Sequence, residues 1–360
     1  MNWGGQEERL LREMKWLGRH GHRAILACHR SSAIAQHAAD AGLECHHVPI
    51  RTNIDVLGLA RLVALVRREK PDIIHAHSSK DSWFALLLHQ SGIPVVRSRH
   101  ITLSPRMPHA RKLIYRHGCR RLIASAGFIA ENMRDVIGVP TGRIDVIGEC
   151  VDTEEFHPGD GSAVRREFGI APGAPFFAVV GMLRGEKGQM FFVKAAREVL
   201  KKRPDARFAI VGASTDTDDY ELSIRKFLQA EMSGWPEPPV IMTGFRRDIP
   251  AIMRAIDCLV VPSSKEAQTL VIPQAFATGK PAIGSNVGGI PELVRDGVNG
   301  LLFPLRDHEA LAAAMLRLAD DPDLARKFGQ AGYELAQREL AADRKMNALV
   351  ASYRRAIASR

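Results

Sequence analysis

Aromatic side chains make up only 6% of the chain, and no zinc-finger or RNA-binding signature accompanies them. Nucleic acid is therefore not expected as a partner, since single strands are held largely by stacking on aromatic faces. Cysteine is also sparse. Cys28, Cys45, Cys119, Cys150 and Cys258 are odd in number and scattered, so neither a disulfide framework nor a paired metal site is expected, and a reducing cytoplasm suits them. No run of eighteen apolar residues occurs, which gives no candidate for a membrane-spanning helix. Polar and charged residues follow Met1 closely, so no secretory leader is expected. Acids are the scarcer charge, 40 Asp and Glu against 50 Lys and Arg, a net +10. That surplus fits an anionic co-substrate, a phosphorylated acceptor or an anionic membrane surface.

With 360 residues there is room for two domains, each able to bury its own core. Two successive α/β patterns fill it. In the first, short apolar runs at Ala24–Cys28, Cys45–Pro49, Ile73–Ala76, Val95–Ser98, Leu122–Ser125 and Ile144–Ile147 alternate with helical periods. Parallel strands with crossover helices are the economical solution. A Gly-, Pro- and Asp-rich stretch, Gly148 to Pro175, reads as the connection. The pattern restarts at Phe176–Gly181, Arg207–Val211, Val240–Thr243, Cys258–Val261 and Pro281–Gly284, and beyond Leu305 it is helical. The domains predicted are 1–160 and 161–339.

The richest stretch runs from Ser263 to Val294. Glu266 stands just before a predicted helix, Thr269–Thr278, and Gln274 follows it by eight positions. Gly279-Lys280-Pro281 ends that helix, and Gly288-Gly289 precedes another at Pro291. Helix starts present unpaired amides and partial positive charge, which suit phosphate. A carboxylate beside them suits sugar hydroxyls instead. The combination points to a sugar joined to a diphosphate.

This segment resembles the donor-sugar signature of the retaining nucleotide-sugar glycosyltransferases of family four, whose pattern is Glu, seven residues, Glu, a Gly-Lys-Pro turn and a Gly-Gly-x-Pro-Glu loop. Gln274 departs from it at the second Glu. The resemblance implies the GT-B fold, two Rossmann-like domains with parallel sheets facing a cleft, and a last helix within 340–360 that completes the first domain. It implies an enzyme that needs neither metal nor cofactor, with a nucleotide diphosphate sugar as co-substrate and a glycan or lipid-linked acceptor. Cell-envelope polysaccharide or lipopolysaccharide assembly in the cytoplasm, at the inner face of the membrane, is the implied setting. Since the family opens with an apolar strand before the glycine loop that is Gly4-Gly5 here, we expect the natural protein to carry roughly seven to ten residues ahead of Met1.

Within that resemblance, Glu266 and His100 are the catalytic candidates. Gly4, Gly5, Arg184, Lys187, Gly244, Phe245, Glu266, Thr269, Leu270, Val271 and Gln274 are the donor-binding ones. Lys187 supplies a point charge and Arg184 a fork for the diphosphate, with Arg184 standing in for the family arginine that Met182 replaces. Thr269, Leu270 and Val271 contribute backbone N–H groups, and Phe245 or Arg246 lies against the base. Gln274 can still hydrogen-bond a ribose, without charge. His75 and His77, two apart on a strand, share a face, but no further metal ligands accompany them. Asp216-Thr217-Asp218 reads as a helix-start acid cluster. Segment 106–121 carries six Lys or Arg and no acid and reads as a basic amphipathic helix for anionic lipid. Two other readings remain open: a sugar-nucleotide epimerase of the same fold, and a non-catalytic sugar-nucleotide-binding scaffold.

Overall fold

The computed structural model describes residues 5–49, 55–78, 82–104, 106, 109–214, 219–233 and 239–359. Its strands are β1 (Leu26–Cys28), β2 (Cys45–His47), β3 (Ile74–Ala76), β4 (Val95–Arg99), β5 (Arg121–Ala124), β6 (Ile144–Val146), β7 (Phe176–Val180), β8 (Arg207–Val211), β9 (Val240–Gly244), β10 (Cys258–Val261), β11 (Ala282–Ser285) and β12 (Gly300–Phe303). The chain divides into two compact units: Met1–Gly148 with Asp343–Arg360, and Glu149–Ala342.

In the second unit six strands form one parallel sheet in the order β12-β11-β10-β7-β8-β9. The first strand in sequence, β7, therefore sits in the middle, as a doubly wound sheet requires. Its residues alternate between two cores. Phe176 and Ala178 join the layer that holds Ile272, Phe276 and Leu335. Phe177 and Val179 join the layer that holds Phe192, Phe208 and Met315. A strand buried on both faces reads as a continuous apolar run, which is why Phe176–Val180 was legible.

The first unit holds a four-stranded parallel sheet, β3-β4-β5-β6, and a separate parallel pair, β1-β2. Leu26 N–H donates to the Glu44 carbonyl and Val48 N–H to the Cys28 carbonyl, so the ladder's alternation turns the Ala27 peptide groups away from β2. Ile74 N–H donates to the Pro94 carbonyl, and the His75 peptide groups by the same alternation face away from β4. Among the described residues nothing bridges β1 and β3.

Three expectations need correction. The units meet at 148/149, not 160/161, because the connection packs on the second unit: Val151 N–H donates to the Leu340 carbonyl at 2.9 Å, and a Cβ on Gly161 would come within 2.4 Å of the Ala255 Cα. β12 was not foreseen. Among the described residues of 106–121 the helix is His109–His117, and three of the segment's six cations have partners within the protein. Arg116 donates to the Ile137 carbonyl, Arg120 to the Ser359 carbonyl and Arg121 to Asp145. Ile114 and Tyr115 are buried.

The last helix, Ala342–Ala358, lies in the first unit. Tyr353 Oη meets His75 Nδ1 at 2.7 Å, and Ser352 Oγ donates to Asp145 at 2.6 Å. No helix among the described residues is long and apolar enough to cross a membrane.

Candidate functional site

At the carboxyl edge of the second sheet, three loops converge on Glu266. After β10 the chain turns through Pro262 and Ser263 and reaches Glu266 before the helix Val271–Ala277. Glu266 Oε1 accepts from Lys187 Nζ at 2.5 Å and from Ser263 Oγ at 2.9 Å. The carboxylate side chain is 9% exposed and the lysine 26%, so the pair is shielded yet reachable from solvent. A pocket with about 240 Å³ of empty space opens there, lined by Val179, Lys187, Val261, Ser263, Glu266 and Thr269.

Backbone contacts fix the Glu266 loop from both sides. Ser264 N–H donates to the Glu186 carbonyl at 2.7 Å, and Gly289 N–H to the Glu266 carbonyl at 3.3 Å. Gly288 has φ 55° and leaves no room for a side chain, since a Cβ would stand 1.9 Å from the Glu266 oxygen. Gly188, at φ 72°, presses on the Pro262 carbonyl in the same way, where a Cβ would stand at 2.0 Å. These glycines seat the carboxylate loop. That differs from the expectation that the Gly288-Gly289 loop opens a second phosphate-facing helix: the helix there, Ile290–Leu293, is a single turn.

The other second-unit candidates fall around this edge. Arg184 begins the short 3-10 turn Gly185–Lys187, and its Nη1 lies 3.9 Å from Glu186 Oε1. Thr269 and Leu270 precede the helix, which starts at Val271 rather than Thr269 and leaves its first amides without intrahelical partners. Gln274 is on that helix and 9% exposed. Gly244 ends β9 at φ 68°, and Phe245 after it is 72% exposed. Arg246 is not available to a base. Its guanidinium spans Glu167 and Asp248, with 2.7 Å to Asp248 Oδ2. Asp248 in turn makes no side-chain cap on the helix Ile249–Ala255. Met182 serves through its carbonyl, which accepts from Gln189 Nε2 at 2.9 Å.

In the first unit three imidazoles gather at the carboxyl ends of β3 and β4. His75 and His77 rings lie 3.9 Å apart, and His77 and His100 rings 6.4 Å apart. His75 is held by Tyr353 Oη and, through Nε2, by Ser98 Oγ at 2.8 Å. His100 Nε2 is buried and meets no hydrogen-bond partner among the described residues. Burial, then the Arg9 charge, holds the His100 pKa down at about 3, and burial lowers His75 well below the usual imidazole value. Both rings are neutral at pH 7 and can donate or accept. Glu13 approaches His75 and His77 with ligand atoms within 4.8 Å, but it is salt-bridged to Arg9 at 2.7 Å. Gly5 opens the helix Gly5–Arg19. Gly4 and Asp216-Thr217-Asp218 lie outside the described residues. Ser263, Gly188 and Ser285, whose Oγ donates to the Ser263 carbonyl at 2.5 Å, escaped sequence reading, because short polar and small residues in loops carry no periodic signal.

The pattern described as Glycosyltransferase Family 4 matches residues 3–155, and that described as Glycosyl transferases group 1 matches residues 174–321. The chain is 30% identical over 281 residues to the Escherichia coli UDP-Gal:alpha-D-GlcNAc-diphosphoundecaprenol alpha-1,3-galactosyltransferase, covering 74% of this chain and 71% of that one. It is 28% identical over 341 residues to a D-inositol 3-phosphate glycosyltransferase of Segniliparus rotundus, covering 88% and 73%. HepE of Anabaena, crystallised with UDP, superposes with a TM-score of 0.86 over 98% of this chain and 96% of its own, at 21% identity.

Proposed function

Because this chain belongs to glycosyltransferase family 4 and carries the GT-B fold, we propose that it moves a sugar from a UDP-sugar to a hydroxyl of a lipid-linked or glycan acceptor. In this reading the bond between the anomeric carbon and the diphosphate oxygen breaks, and the electron pair leaves with the nucleotide diphosphate. The acceptor oxygen bonds to the same carbon with retention of configuration. The observation that carries the proposal is the Lys187–Glu266 pair at the carboxyl edge of the second sheet, beside the amides of 269–271.

On donor binding Lys187 turns to the diphosphate, helped by Arg184 and those amides, and Glu266 is released to accept from sugar hydroxyls. Stabilising the departing diphosphate in this way calls on no metal and no cofactor. Phe245 offers a face to the base, Gln274 an uncharged hydrogen-bonding group to the ribose, and neutral His100 a hydrogen bond near the reacting centre. The galactosyltransferase relative supports a lipid-linked acceptor and, with it, a role in envelope polysaccharide assembly. A seat at the membrane surface follows from such an acceptor rather than from segment 106–121, whose Arg116, Arg120 and Arg121 are occupied.

Thermal shift with a panel of UDP- and GDP-sugars tests the donor. A donor at a hundred times its Kd adds about 2.7 kcal/mol, readily seen as a rise in Tm. Product analysis with the best donor and a pyrophosphate-linked sugar lipid then reads anomeric configuration. Failure of every nucleotide sugar to shift Tm would sink the proposal, as would hydrolysis or rearrangement of the donor with no transfer.

A further inference from the structure

The two parallel strands that stand apart from the rest of the first sheet end in a group of soft ligands. Leu26 pairs with Cys45 and Cys28 with His47, so Cys28, Cys45 and His47 point to one face of the pair. Cys28 Sγ and Cys45 Sγ are 3.5 Å apart. A ring nitrogen of His47 completes a set in which every ligand atom lies within 4.8 Å of the others. Strand register thus brings together two thiols that the sequence presents as scattered.

We propose that Cys28, Cys45 and His47 form a binding site for one thiophilic divalent cation of the zinc type. Two thiolates on a tetrahedral zinc, each at about 2.3 Å, are about 3.8 Å apart, a few tenths of an ångström from the separation seen here. The two thiols are half-buried against Leu11, Met14 and Ala38, and His47 is exposed. The ion would therefore enter from the histidine side and keep its fourth position for water, the arrangement of an open site. Neighbouring groups do not compete. His46 turns to Glu44, at 3.3 Å, and to Arg68, and His29 to Ser31. Without the ion one thiol donates to the other, and burial pushes Cys45 up. Binding must then expel both thiol protons, so uptake weakens as pH falls.

Cobalt(II) is the probe, titrated into the whole chain after reduction and chelation. The expected result is one ion per chain and a thiolate-to-metal charge-transfer band that zinc abolishes. Cys28→Ser and Cys45→Ser should lose the band. His47→Gln, a change at an exposed position that does not threaten folding, should keep it while weakening affinity at least about tenfold, the lower end of what even a supporting partner contributes. A wild-type chain that takes up no cobalt, or a band that survives in Cys45→Ser, would overturn the site. So would equal affinity in His47→Gln, or thiol titration showing that the pair closes to a disulfide in air and remains cobalt-blind once reduced.

Discussion

The two units of this protein are variations on one plan, and they differ in how their strands are joined. In the second unit β7 joins both halves of a six-stranded sheet, and the Lys187–Glu266 pair is held at its edge by backbone contacts. In the first unit, among the described residues, β1-β2 stands apart from β3-β4-β5-β6. Among the described residues of the first unit, Glu13 Oε2, His100 Nε2, Arg120 Nε and Ser125 Oγ are buried without a hydrogen-bond partner. A buried unsatisfied group costs about 1–3 kcal/mol. The comparison teaches that the Lys187–Glu266 pair sits on a single continuous sheet, while the first unit carries buried groups still able to meet something.

The comparison breaks first at Lys187. Lys187→Ala should lower turnover by about 10²-fold or more, the scale of losing one charge-stabilising donor, with little change in fold. Steady-state kinetics with the best donor measures it, and near-normal turnover would detach the chemistry from the second unit. Gly288→Ala strikes the backbone instead. A Cβ 1.9 Å from the Glu266 carbonyl at φ 55° should destabilise the second unit by about 1–3 kcal/mol and weaken donor binding with it. A chain with unchanged Tm would show that the carboxylate loop is not clamped as described.

Phe245→Ala should leave stability within about 0.5 kcal/mol, as exposed substitutions do. Nucleotide affinity should fall about tenfold, within the range for losing a base-stacking face; calorimetric titration with UDP decides. The smallest effect is on pH and belongs to the first unit. His75 and His100 have folded pKa values below the free value, so below about pH 6.5 the unfolded chain binds more protons. Stability therefore rises with pH through that window and is lost on acidification, towards about 3 for His100. Melting at pH 7 and pH 5 should show a drop of a few degrees that His100→Gln reduces. An identical drop in the variant would remove His100 as its cause.

Much of the second unit was legible in the sequence, since strands buried on both faces appear as unbroken apolar runs. The Glu266, Gly-Lys-Pro and Gly-Gly elements could be found because they match the family's donor-sugar signature. β12 was missed: Gly300–Phe303 follows a Gly- and Asn-bearing turn and is too short to show a period. The occupation of Arg116, Arg120, Arg121 and Arg246 could not be read either. Charge is visible in a sequence, but the carbonyl or carboxylate that consumes it comes from residues as distant as Ser359 and Glu167. Cys28 and Cys45 looked unrelated for a similar reason, because strand register, not sequence spacing, brings them together.

The bond between His75 and Tyr353 has a bearing on synthesis. Most of the first unit is translated before the second, yet the helix that holds its central histidine is translated after it. Nascent chains stalled anywhere before Ala342 should expose an unfinished first unit to chaperones and proteases, while the second unit, encoded between, is already able to close.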